Sequence, residues 1–343
     1  MSPDNRLGLD YRKPPARKFL PPNGIIDAHN HAGDPAFTQH MVDAALAYGI
    51  TEFYTMAPLE QVPALKEKFP NRFRFIAVPG WTRDMPTPDA SFFADWHKRI
   101  ETFREHGAGL IKFHAAPGTC RRWGITLDDP RIQEIARHAY DLGYHFMTHV
   151  GDPNAWFYGK GPYSDGTGGG YGTPASQFAM LERMLDKYPD RLHLGAHMGG
   201  SLENLDALAC RLEKFPHYIL DSSATRWMVR AVAEQSTNAV RDFIIAFQDR
   251  ILFGSDNVAL QGGGDRSFDH FASRYWAHQM LWESDYNGES NIDDPDAGKG
   301  FNPKTGEFDP AKADNTPRLK GLNLPAEVLQ KLYRGNAERL LPH

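Results

Sequence analysis

Residues 109–149 read GLIKFHAAPGTCRRWGITLDDPRIQEIARHAYDLGYHFMTH. The stretch opens on a short apolar run, Gly109–His114. It passes through an amphipathic segment, Pro130–Leu142, which Gly143 ends, and enters a second apolar run, Tyr144–His149. Runs of this length suit buried strands, and a glycine after an amphipathic segment marks a helix end, so this is one strand–helix–strand unit. The same rhythm repeats outward in both directions. Further strand-length runs are Ile25–Asn30, Glu52–Met56, Phe73–Pro79, Leu192–His197, Tyr218–Asp221 and Ile251–Asp256. Helical segments fall between and after them: Thr38–Tyr48, Leu59–Lys68, Asp89–His106, Ala175–Tyr188, Leu202–Phe215, Trp227–Phe247 and Pro325–Leu341. Strands alternating with helices build a parallel sheet, and eight such units in a chain of this length predict an α/β fold of the (β/α)8, TIM-barrel type. A doubly wound open sheet is the alternative, but no G-x-G-x-x-G follows the first run.

Two segments interrupt the rhythm. The glycine-rich Gly151–Thr173 follows the fifth run, and the long Asp256–Asn323 follows the eighth, with a helical part expected at Phe268–Asp285. Loops this long are usually functional, and in a barrel both would lie on the catalytic face. The expected organisation is an N-terminal arm, residues 1–24, extended over the surface, then a single barrel domain, residues 25–343.

Composition narrows the function. The 343 residues are 41% apolar and 24% charged, as in ordinary globular proteins. Lys and Arg number 38 against 43 Asp and Glu, a net charge of −5, which argues against a nucleic-acid partner. No apolar run suits a membrane span, and the N-terminus lacks the apolar core of a signal peptide, so the expectation is a cytoplasmic protein acting on a small molecule. Two cysteines, Cys120 and Cys210, make neither a disulfide framework nor a thiolate metal site. Against them stand 15 histidines. A bound metal would therefore take imidazole and carboxylate ligands, which suit zinc, manganese, iron or cobalt.

The chemistry gathers at strand ends. The first run ends in His29-Asn30-His31, where residues two apart share a face and can reach one ion. The fifth ends at His149, the sixth at His197 and the eighth at Asp256. Each alone reads as an ordinary buried polar group. In a barrel, however, the C-terminal ends of the strands ring one pocket, so the set reads as a metal site. His145 and His193, four residues before His149 and His197, belong to the core or the lower face. His40, His97, His106, His138, His217, His278 and His343 read as surface groups.

The constellation HNH, HVGDP, AHMGG, GSD and the closing YRGNAERLL resembles the amidohydrolase superfamily. Within it, the chain looks like the amidohydrolase-related branch that contains aminocarboxymuconate semialdehyde decarboxylase. The resemblance spans residues 25–341. It implies a distorted (β/α)8 barrel with one divalent metal, zinc first, held by His29, His31 and His149. Asp256 would be the fourth ligand or stand beside the activated water, and His197 would be the catalytic acid/base. Asn336-Ala337 would be structural. Lys112 and His114, on one face of the fourth strand, would reach a substrate carboxylate or oxyanion, or else be buried and hydrogen-bonded. Arg226, after the seventh strand, could pair with a substrate carboxylate or serve as a helix-start residue bonded within the protein. Trp156, Phe157, Tyr158, Tyr275 and Trp276 would line the pocket or meet a second subunit, since a homodimer is compatible with the family. The expected reaction is hydrolysis of a C–N or C–O bond in an amide, lactone or ester. The alternative is nonoxidative decarboxylation of an unsaturated or aromatic acid, and fold does not settle between them.

Overall fold

The computed structural model describes residues 2–81, 85–157, 173–200, 202–260, 267–296 and 316–342. Each expected strand forms: β1 (Ile25–Ala32), β2 (Ile50–Met56), β3 (Phe73–Ala77), β4 (Leu110–His114), β5 (His145–His149), β6 (His193–Gly195), β7 (Tyr218–Asp221) and β8 (Ile251–Leu252). A short ninth strand, β9 (Asn257–Ala259), follows β8 directly. All pair in parallel in the order β8-β7-β6-β5-β4-β3-β2-β1-β9. The ring closes because one stretch of chain, 251–259, borders β7 at its start and β1 at its end. Between its two strands the Ala28 amide donates to the Phe253 carbonyl at 2.8 Å, and the Asp256 amide to the His29 carbonyl at 2.8 Å. The fold is a (β/α)8 barrel.

Alternation divides the core into two layers. Ile26, Tyr54, Ile76, Leu110, Met147, Leu194, Ile219 and Leu252 fill the barrel interior, while the intervening side chains meet the helices outside. Leu341 packs beneath the interior layer. Nearby, Asn336 Nδ2 donates to the carbonyls of Gln248 (2.7 Å) and Ile251 (2.8 Å), closing the chain's last helical segment onto β8.

Helices begin where a short polar side chain caps them. Asp34, Asp89 and Asp129 accept from the first-turn amides of the helices Pro35–Ala47, Ala90–Glu105 and Pro130–Asp141. Ser236 does the same in the middle of the long helix expected at Trp227–Phe247, which it splits into Thr225–Ala233 and Thr237–Ala246. A helix not expected from the sequence, Pro117–Trp123, starts on a proline just after β4. It lies at the top of the barrel, over the site.

The N-terminal arm is held down. Tyr11 is buried and the Gln279 amide donates to the Pro15 carbonyl at 3.0 Å, so the arm lies along the helix Phe268–Glu283. That helix is the one expected in the late insertion. Its Tyr275 and Trp276 are buried in this subunit, and His278, expected at the surface, is buried against Thr225 (3.0 Å) and Trp282 (3.2 Å). Most of the glycine-rich loop (158–172, with Tyr158), parts of the insertion (261–266 and 297–315) and His343 lie outside the described residues. Among the described residues no helix is long and apolar enough to cross a membrane.

Candidate metal centre

The pairing of β1 with β2 slips between Asp27 and Asn30. Such a bulge re-aims side chains. Below it Ile26 and Ala28 point into the barrel; above it His29 and His31 converge on Asp256. Asp256 Oδ1 lies 3.5 Å from His29 Nε2 and 3.3 Å from His31 Nε2. The ligand atoms of the three all lie within 4.8 Å of one another. Asp256 reaches this position through a left-handed backbone, φ 57°.

The donor set suits a divalent ion. His29 Nδ1 donates to Asp221 Oδ2 at 2.9 Å, which fixes the tautomer and leaves Nε2 free to ligate. Burial disfavours charge on His29, so its imidazole is neutral, as a ligand must be. Burial works against the Asp256 carboxylate, but His31, His29 and Lys112 together hold its pKa well below the usual range.

Asp221, at the top of β7, anchors more than His29. Its Oδ1 accepts from the His197 amide at 3.0 Å and from the Ser223 hydroxyl. Ser223 Oγ stands 2.7 Å from His197 Nδ1. With the Ser223 hydroxyl donating to the Asp221 carboxylate, His197 Nδ1–H donates to Ser223 and Nε2 keeps its lone pair. Burial, with His149, His29 and Lys112 around it, pushes the His197 pKa well down, so the ring is neutral.

The sixth strand is shorter than the sequence suggests. It ends at Gly195, and His197 and Met198 take left-handed angles, φ 58° and 53°, followed by Gly199 and Gly200 at 63° and 66°. Glycine is required at the last two. A Cβ would sit 2.3 Å from the Tyr218 hydroxyl at Gly199 and 2.2 Å from the Val150 carbonyl at Gly200.

The remaining expected residues ring this group. His149 stacks edge-on to His197, 4.4 Å between centroids, but its Nε2 is 3.0 Å from Asp152 Oδ1 and it stands outside the His29–His31–Asp256 group. His114 lies beside His149 at 4.7 Å, is exposed, and is hydrogen-bonded through Nδ1 to Thr119 at 2.8 Å. Lys112 is buried, and its Nζ has no hydrogen-bond partner among the described residues. Burial lowers its pKa to about 8, although the charges of Asp221 and Asp256 favour the ammonium. Arg226 lines a cavity of about 280 Å³ that also contains Asp256, and its buried Nε has no partner among the described residues. A second cavity, about 360 Å³, is bordered by His114, His149, Asp152 and Trp156. Trp227 forms a wall of both, its ring edge-on to His197 at 5.2 Å.

Sequence reasoning missed Asp221, Ser223 and Trp227. Asp221 carried the same signal as the others, a carboxylate ending a strand, and Ser223 follows it by two residues.

Residues 26–343 match the family model described as Amidohydrolase. The chain belongs to the amidohydrolase family. Among solved structures, this amidohydrolase is similar to a protein described as amidohydrolase II (13% identity, 93% of this chain and 100% of that one, TM-score 0.50). It is also similar to a probable 2-pyrone-4,6-dicarboxylic acid hydrolase from Acinetobacter baumannii (12% identity, 75% and 92%, TM-score 0.44). Identities this low speak for the fold alone. No curated protein matches this amidohydrolase in sequence.

Proposed function

We propose that the protein is a metal-dependent hydrolase that cleaves a C–N or C–O bond in a small carboxylate-bearing molecule. The observation that carries this reading is the convergence of His29 Nε2, His31 Nε2 and Asp256 Oδ1, with His29 oriented from behind by Asp221. A single divalent ion held there, zinc before manganese, iron or cobalt, would supply acidity to a water and polarise a carbonyl. His149 is the proposed third imidazole ligand, a role that requires a ring nitrogen other than the one engaged by Asp152.

The chain's own groups divide the remaining work. Asp256, ionised and at the mouth, takes a proton from the attacking water and returns it to the leaving group. His197 offers a neutral Nε2 whose orientation the Ser223–Asp221 relay fixes. The Lys112 ammonium, buried without a partner, stabilises negative charge developing on the substrate oxygen. Arg226 faces the substrate carboxylate.

The test joins elemental analysis to a panel of amides, lactones and esters bearing a carboxylate. About one ion per chain, with turnover abolished by chelation and restored by zinc, is the expected result. Absence of metal, with chelator-insensitive turnover, overturns the reading. Release of CO₂ without a hydrolysis product would assign the site to decarboxylation instead. Metal content of His149→Ala reads the third ligand directly: it falls if His149 ligates and stays at one if it does not.

A further inference from the structure

The cavity beside Asp256 has a feature that the hydrolytic reading leaves unused. Among the described residues three cationic or basic side chains line it: Arg226 and, from the helix Phe268–Glu283, His270 and Arg274. The three do not stand alike. Arg274 Nη1 is paired with Asp4 Oδ1, and His270 Nδ1 lies 2.9 Å from Asp4 Oδ2. Arg226 makes no ion pair among the described residues, and its Nε lies buried without a partner. The N-terminal arm thus sends a carboxylate to the wall of a cavity that borders the candidate metal centre.

Asp4 is held firmly where it acts. The Asp293 amide donates to the Pro3 carbonyl at 2.8 Å, the Arg6 amide to the Asn291 carbonyl at 2.8 Å, and the Tyr11 hydroxyl to the Asp4 carbonyl at 2.7 Å. Only 14% of its side chain is exposed. Burial opposes the charge, but the bonds from His270 and Arg274 keep the carboxyl well below its ordinary range. Arg274 is itself fixed from its own helix, through the His270 carbonyl (2.9 Å) and Ser273 Oγ (2.8 Å).

We propose that Asp4 is a positioning residue that sets the charge of the substrate cavity. It ties Arg274 and His270 into a neutralised unit and leaves Arg226, among the described residues, as the one cation that meets substrate. The cavity is then built for a molecule presenting a single carboxylate at this end. With Asp4 absent, two cations would face the ligand and the preference would move toward a second carboxylate. This rests on reading the cavity as the substrate site.

The experiment measures binding of benzoate and isophthalate to the metal-loaded full chain by calorimetry. Arg226→Gln should weaken benzoate by roughly tenfold, the size expected for loss of a charge-assisted contact. Asp4→Asn should raise the isophthalate-to-benzoate affinity ratio roughly three- to tenfold, through loss of one counter-charge near the cavity, and high salt should shrink the gain. Asp4→Glu should restore the native ratio. Arg274→Gln, which leaves Asp4 unneutralised, should move the ratio the other way and serves if Asp4→Asn does not fold. An unchanged ratio in a folded Asp4→Asn protein overturns the proposal, as does an equal loss for both ligands, which would mean that Asp4 only supports the arm. Benzoate binding untouched by Arg226→Gln removes the subsite altogether while leaving the metal reading intact. Arg226-dependent binding in a chain that takes up no metal would sink the hydrolase reading and leave the subsite standing.

Discussion

His193 and His197 lie four residues apart at the same strand, yet they inhabit opposite sides of the sheet. His193 is buried in the outer layer between Phe146 and Tyr218; one nitrogen stands 3.2 Å from Thr148 Oγ1, and Nδ1 has no partner. His197 is equally buried but joined to Ser223 and Asp221. Simple alternation would have kept both on the outer side. The left-handed turn at His197–Met198 breaks the parity and swings one of them into the site. Residue type and burial are shared, so the difference lies in backbone path and in what stands behind the ring. A histidine with a carboxylate-anchored hydroxyl at its back is equipped for proton chemistry; one among aromatic rings fills space.

The largest effect should come from the group that His197 serves. Asp256→Asn and His29→Ala should each lower turnover on the order of 10⁴-fold, because each removes a ligand or proton acceptor from one cooperating unit, and the double variant should be little worse. Metal content of His29→Ala should fall in parallel. Next comes His197→Asn, which should keep its metal and lose ~10²–10⁴-fold in kcat, the range for a general acid–base group. Loss of metal in this variant would instead make His197 a ligand. Ser223→Ala tests the relay. It should cost ~10–100-fold, typical of groups that orient those touching the ion, and shift the pH profile of kcat. An unchanged profile would show that the hydroxyl is mere packing.

His193→Leu should be the mildest and should leave kcat alone. Burial depresses the His193 pKa to about 3, against an ordinary value of 6.5. The folded state therefore favours the neutral ring. Its contribution to stability is present above about pH 6.5 and is lost as the pH falls from there toward 3. The variant should melt within a few degrees of the native protein at neutral pH and resist acid better. Equal acid sensitivity would place the titrating group elsewhere.

The sequence displayed the barrel because its signal is periodic. All eight strands begin within two residues of their apolar runs, since burial on both faces demands continuous apolar sequence. β6 misled because Ala196-His197-Met198 continues an apolar run while its backbone has left the sheet. The split of the helix after β7 was written in Ser236, a capping residue inside an otherwise helical pattern. Within the site, His29, His31 and Asp256 were legible as strand-end ligand types. Asp221 was overlooked although it obeys the same rule. Asp4 was beyond reach, because nothing local in MSPDNR links it to an arginine 270 positions away; only the closed fold does.

The left-handed run from His197 to Gly200 also ties three strands together. Two non-glycine residues in that conformation cost about 1–2 kcal/mol each when nothing supports them. Their support comes from Asp221, which binds the His197 amide, and from the Tyr218 and Val150 surfaces that admit only glycine at the turn's end. These belong to β7 and to the chain just past β5, the strands on either side of β6. The turn therefore keeps its shape through contacts from both neighbours of β6, and the orientation of His197 is a property of three strands together.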